Sequence, residues 1–145
     1  MEKTIEEIED EIVDEFTVFE EWMDKYEYII ELGKNLPAMD EKYKTDNRKV
    51  SGCQSQVWLN TNFENGKVIY EADSDAIITK GLVGLLVRVL SNRKPQDIIN
   101  AKLDFINKIG MKEHLSPNRA NGLVSMIKHM KDDASSFLNK NNNQN

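Results

Sequence analysis

A chain of 145 residues that is 39% hydrophobic is long enough for one domain with a real core and too short for two ordinary ones. Its formal net charge of −6 comes from 25 acidic and 19 basic residues mixed along the chain, which argues against an electrostatic grip on nucleic acid or anionic lipid, since both need clustered Lys and Arg. One cysteine and two histidines exclude an internal disulfide and leave too few ligands for a structural zinc, or for an iron–sulfur cluster held by this chain alone.

No apolar run approaches the roughly 20 residues that span a bilayer. The opening Met1-Glu2-Lys3-Thr4-Ile5-Glu6-Glu7 also lacks the basic start and apolar middle of a signal peptide. With a lone thiol, the chain is expected in a reducing compartment, the cytoplasm, with neither membrane nor nucleic acid as partner.

Thr4 followed by Glu7 reads as a capping box, and Ile5, Ile8, Ile12 and Phe16 follow at helical spacing, so a first amphipathic helix is predicted from about Ile5. Thr17 and Glu20 repeat the box ahead of a second helix. Its Phe19, Trp22, Met23, Tyr26, Ile29 and Ile30 share one stripe up to Gly33, and Pro37 stops it. The opposite face is acidic and reads as a solvated surface, with docking of a partner as the alternative.

Residues 37–49 are polar and read as a connection with a helical turn over 40–43. The run Val50-Ser51-Gly52-Cys53-Gln54-Ser55-Gln56-Val57-Trp58-Leu59 follows, with the only cysteine. Residues 56–61 then alternate in a β-prone pattern, and a Glu64-Asn65-Gly66 turn leads into a second β-prone run over 67–72. Asn-Gly between two such runs is the strongest short hairpin signal.

Asp73, Ser74 and Asp75 are expected to cap a helix over 76–90 that is apolar nearly all round and therefore covers the sheet. Gly81 and Gly84 within it predict close approach to another backbone. Pro95 opens a short helix that buries Ile98 and Ile99, and Leu103, Phe105, Ile106 and Ile109 continue the helical content to Gly110. Ser116 as N-cap with Pro117 at the first helical position opens a last helix through Leu123, Met126, Ile127 and Met130. The Asn-rich residues 139–145 bury nothing and are expected to be disordered, so one domain spans 1–138. Helices, a hairpin-based antiparallel sheet, then helices again make an α+β pattern.

Cysteine is often a small core hydrophobe, and that reading stands beside the chemical one for Cys53. Ser51, Gly52, Gln54 and Ser55 are turn formers that put the thiol at a loop tip, where successive backbone N–H groups can form a concavity favouring a thiolate. Arg48 and Lys49 lie just upstream. No local motif brings His114 or His129 to Cys53 as a base, as a protease-type nucleophile requires. A persulfide is readily attacked by a neighbouring thiol, which closes a disulfide and expels sulfide. A chain with one cysteine cannot discharge itself that way, which favours a sulfur carrier over a dithiol oxidoreductase.

Gly52-Cys53-Gln54-Ser55, followed by Val57-Trp58, resembles the cysteine loop of the SufE family. Tyr26-Glu27-Tyr28-Ile29-Ile30-Glu31-Leu32-Gly33, Asn47-Arg48-Lys49-Val50 and Ala72-Asp73-Ser74-Asp75-Ala76 resemble other stretches of it. Leu115-Ser116-Pro117-Asn118-Arg119-Ala120-Asn121-Gly122-Leu123 is similar to the family's Ser-Pro-x-Arg-x-Asn-Gly-Leu. The likeness runs from about Trp22 to Met130; Asn118 and Ala120 replace small hydroxyl residues, and Ser51 stands where a proline or basic residue is common.

The resemblance implies a SufE/IscU-like α+β fold, with a small antiparallel sheet of about three strands flanked by N-terminal and C-terminal helices. It implies a sulfur acceptor without a cofactor of its own. Cys53 would take persulfide sulfur from a PLP-dependent cysteine desulfurase of the SufS type, stimulate its desulfuration of L-cysteine, and pass the sulfur to an iron–sulfur assembly scaffold of the SufBCD type. Arg119 would support the loop or the partner contact, and Ser51, Gly52, Gln54, Ser55, Asp73 and Asp75 would form the partner-binding loop region. A second copy of the chain, in a homodimer, is a further partner the resemblance allows.

Two rival readings stay open. A rhodanese-like sulfurtransferase needs a basic cradle that Gly52-Cys53-Gln54-Ser55 does not supply. A non-catalytic binding module or an IscU-type scaffold is the other; the scaffold needs several metal ligands.

Overall fold

A computed structural model describes residues 3–53 and 55–143. Among them the helices are α1 Ile5–Thr17, α2 Trp22–Lys34, α3 Ile77–Leu90, α4 Pro95–Asn100, α5 Phe105–Lys108, α6 Met111–His114 and α7 Pro117–Asn143. Between α2 and α3 the strands β1 Val57–Glu64 and β2 Lys67–Ser74 form an antiparallel hairpin. Two 3-10 turns, Glu41–Tyr43 and Asp46–Arg48, punctuate the connection from α2 to β1. The order is the expected α+β one.

The capping box of α1 forms as read: Glu7 N–H donates to the Thr4 hydroxyl at 3.1 Å, and Thr4 N–H to the Glu7 carboxylate at 3.2 Å. Ile5, Ile12 and Phe16 are buried behind it. The second box does not form. The helix runs one residue past Phe16, and the Thr17 hydroxyl donates back to the Asp14 carbonyl at 2.7 Å, the local competition that a helical Thr offers. Glu21 then takes the N-cap position of α2 with no side-chain bond. Ile29 is fully buried, whereas Met23, placed on the same stripe by spacing, is 69% exposed.

Asn65 and Gly66 both adopt left-handed backbone, φ 55° and 79°, which is what a two-residue turn between twisted strands requires. The register runs from Glu64 opposite Lys67 to Val57 opposite Ser74. Val57, Leu59, Val68, Tyr70 and Ala72 are therefore buried on one face. Helix α7 lies on that face: the Tyr70 hydroxyl donates to the Met130 carbonyl at 2.6 Å, Thr61 bonds Asp133 at 2.7 Å, and Phe63 stacks on Phe137 with ring centroids 5.0 Å apart. The opposite face carries Asn60 and Trp58, met by Arg48 and Lys44 of the connection.

The sheet among the described residues has two strands, not about three. A third strand is reduced to single bridges, Lys49 with Trp58 on one edge and Arg93 with Val68 on the other. The turn at Ser51 and Gly52 ends the first pairing after one step, and α3 and α4 flank the second on either side.

The caps expected of Asp73 and Asp75 are absent too: Ala76 is the N-cap of α3 with no side-chain bond. Only Ser74 assists, its hydroxyl accepting from Ala76 N–H at 3.2 Å. Further on, Ile98 is buried and Ile99 half-buried. The Ser116 hydroxyl accepts from Arg119 N–H at 3.3 Å at the start of α7, as read, and Met126, Met130 and Ala134 face the core. The backbone of α7 continues to Asn143, into the segment read as a tail; residues 144–145 lie outside the described residues. No described helix is long and apolar enough to cross a membrane.

Candidate functional site

The cysteine loop is pinned at its neck. Val50 N–H donates to the Val57 carbonyl at 2.8 Å, closing the loop ahead of β1. Gln56 is held from the other side: its N–H donates to the Asp75 carboxylate at 3.0 Å, and its carbonyl accepts from Asp75 N–H at 3.2 Å and the Ser74 hydroxyl at 2.9 Å. Ser51, Gly52, Cys53 and Ser55 thus lie between two fixed points on the sheet. Ser51 and Gly52 are exposed and Ser55 is half-buried, while Gln54 lies outside the described residues.

Gly52 has φ +86°, a conformation other residues rarely adopt. A Cβ there would overlap the Ser125 hydroxyl on α7, so the loop lies directly against that helix. One residue on, Cys53 is half-buried with Sγ 3.6 Å from the Gly122 carbonyl oxygen, in position to donate its S–H. Gly122 packs directly against Cys53: a Cβ there would sit 3.5 Å from Sγ, in ordinary contact. Burial pushes the Cys53 thiol above its usual pKa. The resting thiol therefore faces a carbonyl of α7.

Beside Cys53 opens a pocket of about 320 Å³. Val57, Leu82, Val83, Leu123 and Met126 make its apolar floor, and Ser55, Thr79, Ser116 and Arg119 its polar rim. The hairpin, α3 and the first turns of α7 meet here, so the site is assembled by packing across the whole sequence. Arg119 is exposed, and its guanidinium makes no hydrogen bond or ion pair among the described residues. It lines the same pocket as Cys53. The histidines are elsewhere: His114 stacks on Trp22 with centroids 4.3 Å apart, and His129 faces Asp133 at 3.7 Å.

The acidic pair divides in two. Asp75 is exposed and holds the loop through Gln56. Asp73 is only 3% exposed, so it is a support behind the loop and not a surface a partner can touch. Its carboxylate accepts from Ser74 N–H at 2.8 Å and Met39 N–H at 3.4 Å, and pairs with Lys44 at 3.3 Å and Lys80 at 3.4 Å. Burial alone would raise its pKa; these four partners together hold it below the usual carboxylate range. Sequence reasoning missed Ser125 and the part played by Gly122. Two small residues three apart on a helix otherwise rich in bulky side chains were the available signal.

The family model described as "SufE: Fe-S metabolism associated domain" matches residues 10–134. A SufE-like protein of Rhizobium meliloti (strain 1021) is 46% identical over 134 residues, covering 89% of this chain and 96% of its own. A SufE-like protein of Synechocystis is 40% identical, covering 87% and 79%. The SufE-like protein 1 of Arabidopsis thaliana, described as chloroplastic/mitochondrial, is 46% identical over 86% of this chain, which spans 34% of that longer protein. The solution structure of a hypothetical protein from Thermus thermophilus shares the fold, with a TM-score of 0.74 over 91% of this chain and 96% of that one at 19% identity. Matched by the family model over most of its length and by relatives above two-fifths identity, the chain belongs to the SufE family, whose domain is associated with iron–sulfur metabolism.

Proposed function

We propose that this protein is a sulfur acceptor and carrier: Cys53 takes persulfide sulfur from a PLP-dependent cysteine desulfurase of the SufS type and passes it to an iron–sulfur assembly scaffold of the SufBCD type. The observation that supports it most is the setting of the chain's one thiol, on a loop between β1 and α7 at the edge of a pocket, with neither histidine lining that pocket. The Cys53 thiolate attacks the outer sulfur of the donor's persulfide. A new S–S bond forms as the donor's breaks, and the electron pair leaves on the donor's cysteine. Exchange at sulfur needs access, a thiolate and an aligned approach more than a general base.

On this reading the protein is a carrier and activator, not an enzyme in its own right, and it works in the cytoplasm. By unloading the desulfurase it speeds conversion of L-cysteine to alanine. Arg119 steadies the loop or the incoming anion, the tip at Ser51, Gly52, Gln54 and Ser55 meets the donor, and Asp75 and the buried Asp73 hold that tip's base. One domain over 1–138 suffices, so truncation after residue 138 leaves sulfur acceptance intact.

The test is alanine release by the desulfurase under saturating L-cysteine. Stimulation by the wild-type protein and none by Cys53→Ser supports the reading; equal stimulation by both sinks it. Loading of Cys53 from thiosulfate without any desulfurase would favour the sulfurtransferase instead.

A further inference from the structure

We propose that the cavity beside Cys53 is a binding site for a small-molecule thiol carrying a carboxylate on an apolar body, and that such a thiol takes sulfur directly from Cys53. This rests on the reading of Cys53 as a sulfur carrier and adds a second class of acceptor to it.

The walls of the cavity determine what fits. Its volume of about 320 Å³ lies at the lower end of the roughly 300–1,000 Å³ that small-molecule sites occupy. Leu82 and Val83 of α3 with Leu123 and Met126 of α7 give it an apolar floor, which favours an aliphatic chain and would leave buried polar groups without partners. Arg119 at the rim is the one charged side chain lining the cavity among the described residues, and no carboxylate lines it. An anionic head is therefore matched there and a cationic one repelled. Cys53 is the reactive group in the same wall. Apolar chain, anionic end and thiol chemistry together define the ligand.

The step balances without an oxidant or a cofactor. The bound thiol, as its thiolate, attacks the outer sulfur of Cys53–S–SH. A new S–S bond forms between them, the bond from Cys53 Sγ to that sulfur breaks, and its electron pair leaves on Sγ, which takes a proton from solvent. The products are a small-molecule persulfide, with its hydrogen still on the terminal sulfur, and the free thiol of Cys53. Burial raises the pKa of that thiol, and a thiolate of higher pKa leaves more slowly. Holding the attacking thiol in the cavity offsets this by raising its effective concentration.

Three thiols of equal chain length test the site on the full chain: mercaptohexanoate, mercaptohexanol and aminohexanethiol. Cys53 is loaded without any desulfurase, by forming its mixed disulfide with thionitrobenzoate and displacing that group with sulfide, and intact mass follows loss of the added sulfur. Each rate is divided by that of the same thiol on the loaded chain unfolded in urea. The carboxylate should unload the folded protein about fivefold faster than the alcohol, the contribution of an exposed ion pair. Its rate should saturate, and the amine should be slowest.

Arg119→Gln should bring the carboxylate down to the rate of the alcohol, and Arg119→Lys should keep the advantage. Hexanoate, which has no thiol, should compete with mercaptohexanoate, whereas acetate at the same concentration should not, because it leaves the apolar floor uncovered. Equal rates for the three heads, an advantage that survives Arg119→Gln, or equal effects of hexanoate and acetate overturns the site. So does a loss in Arg119→Gln shared by all three thiols, which is damage to the fold and not recognition of charge. The sulfur-acceptor reading fails separately: a desulfurase that adds no sulfur to Cys53 sinks it and leaves the selectivity of the chemically loaded protein untouched.

Discussion

Gly33 and Gly81 lie against each other where α2 crosses α3: a Cβ on Gly33 would sit 2.8 Å from the Gly81 nitrogen, and one on Gly81 would overlap the Ile29 carbonyl oxygen. Backbone meets backbone, so neither side can yield by changing a rotamer. This crossing sets α3 over the sheet and places Leu82 and Val83, the next two residues, in the floor of the Cys53 pocket. Gly81→Ala should therefore cost about 3 kcal/mol, the upper end of ordinary overpacking. Gly84 has only the Leu36 side chain near it, 3.8 Å from where a Cβ would be. Gly84→Ala should be neutral or gain up to about 1 kcal/mol from helix propensity. Urea unfolding of the two variants, compared by midpoint, checks this opposition of sign.

Asp73 ties the connection before β1 to the end of β2 and to α3, through Met39, Lys44 and Lys80. Asp73→Asn keeps the shape but removes the charge from a buried cluster, at an expected cost of about 2 kcal/mol. A carboxyl held below its ordinary pKa adds stability that is present above the unfolded value of about 3.9 and lost as pH falls through the folded one. Thermal melts should show the variant less stable at pH 7, with the gap closing below about pH 4.

Glu9 behaves oppositely. It is 8% exposed, and its carboxylate accepts from Phe105 N–H at 3.3 Å at the start of α5. Burial pushes its pKa up, against the lowering effect of that bond and with Asp104 and Glu6 adding repulsion. A raised carboxyl favours the fold fully below its unfolded pKa and loses that contribution as pH rises through the folded one. Glu9→Gln keeps an acceptor for Phe105 and removes the charge. It should raise the melting temperature at pH 7 and change little at pH 4.

Much of the frame was legible because its signals are local. The box at Thr4 and Glu7, the turn at Asn65 and Gly66 and the start of α7 at Ser116 and Pro117 each need only a few neighbouring residues, and each forms as read. Thr17 and Glu20 show the limit of such signals: the same pattern fails when the helix before it has not ended. The misreading of Asp73 as a cap is of another kind. Spacing cannot reveal that Lys44 and Lys80 converge on it from both sides in sequence. The pocket was hidden for the same reason, since Val57, Leu82 and Met126 become neighbours only when the hairpin, α3 and α7 pack together.

The central claim is that Cys53 receives sulfur from another protein, and intact mass without reductant tests it most directly. After incubation with a cysteine desulfurase and L-cysteine, the account predicts one added sulfur atom, mapped to Cys53, removed by reductant and missing from Cys53→Ser. A wild-type protein that gains no sulfur, or a Cys53→Ser protein that gains as much, contradicts it.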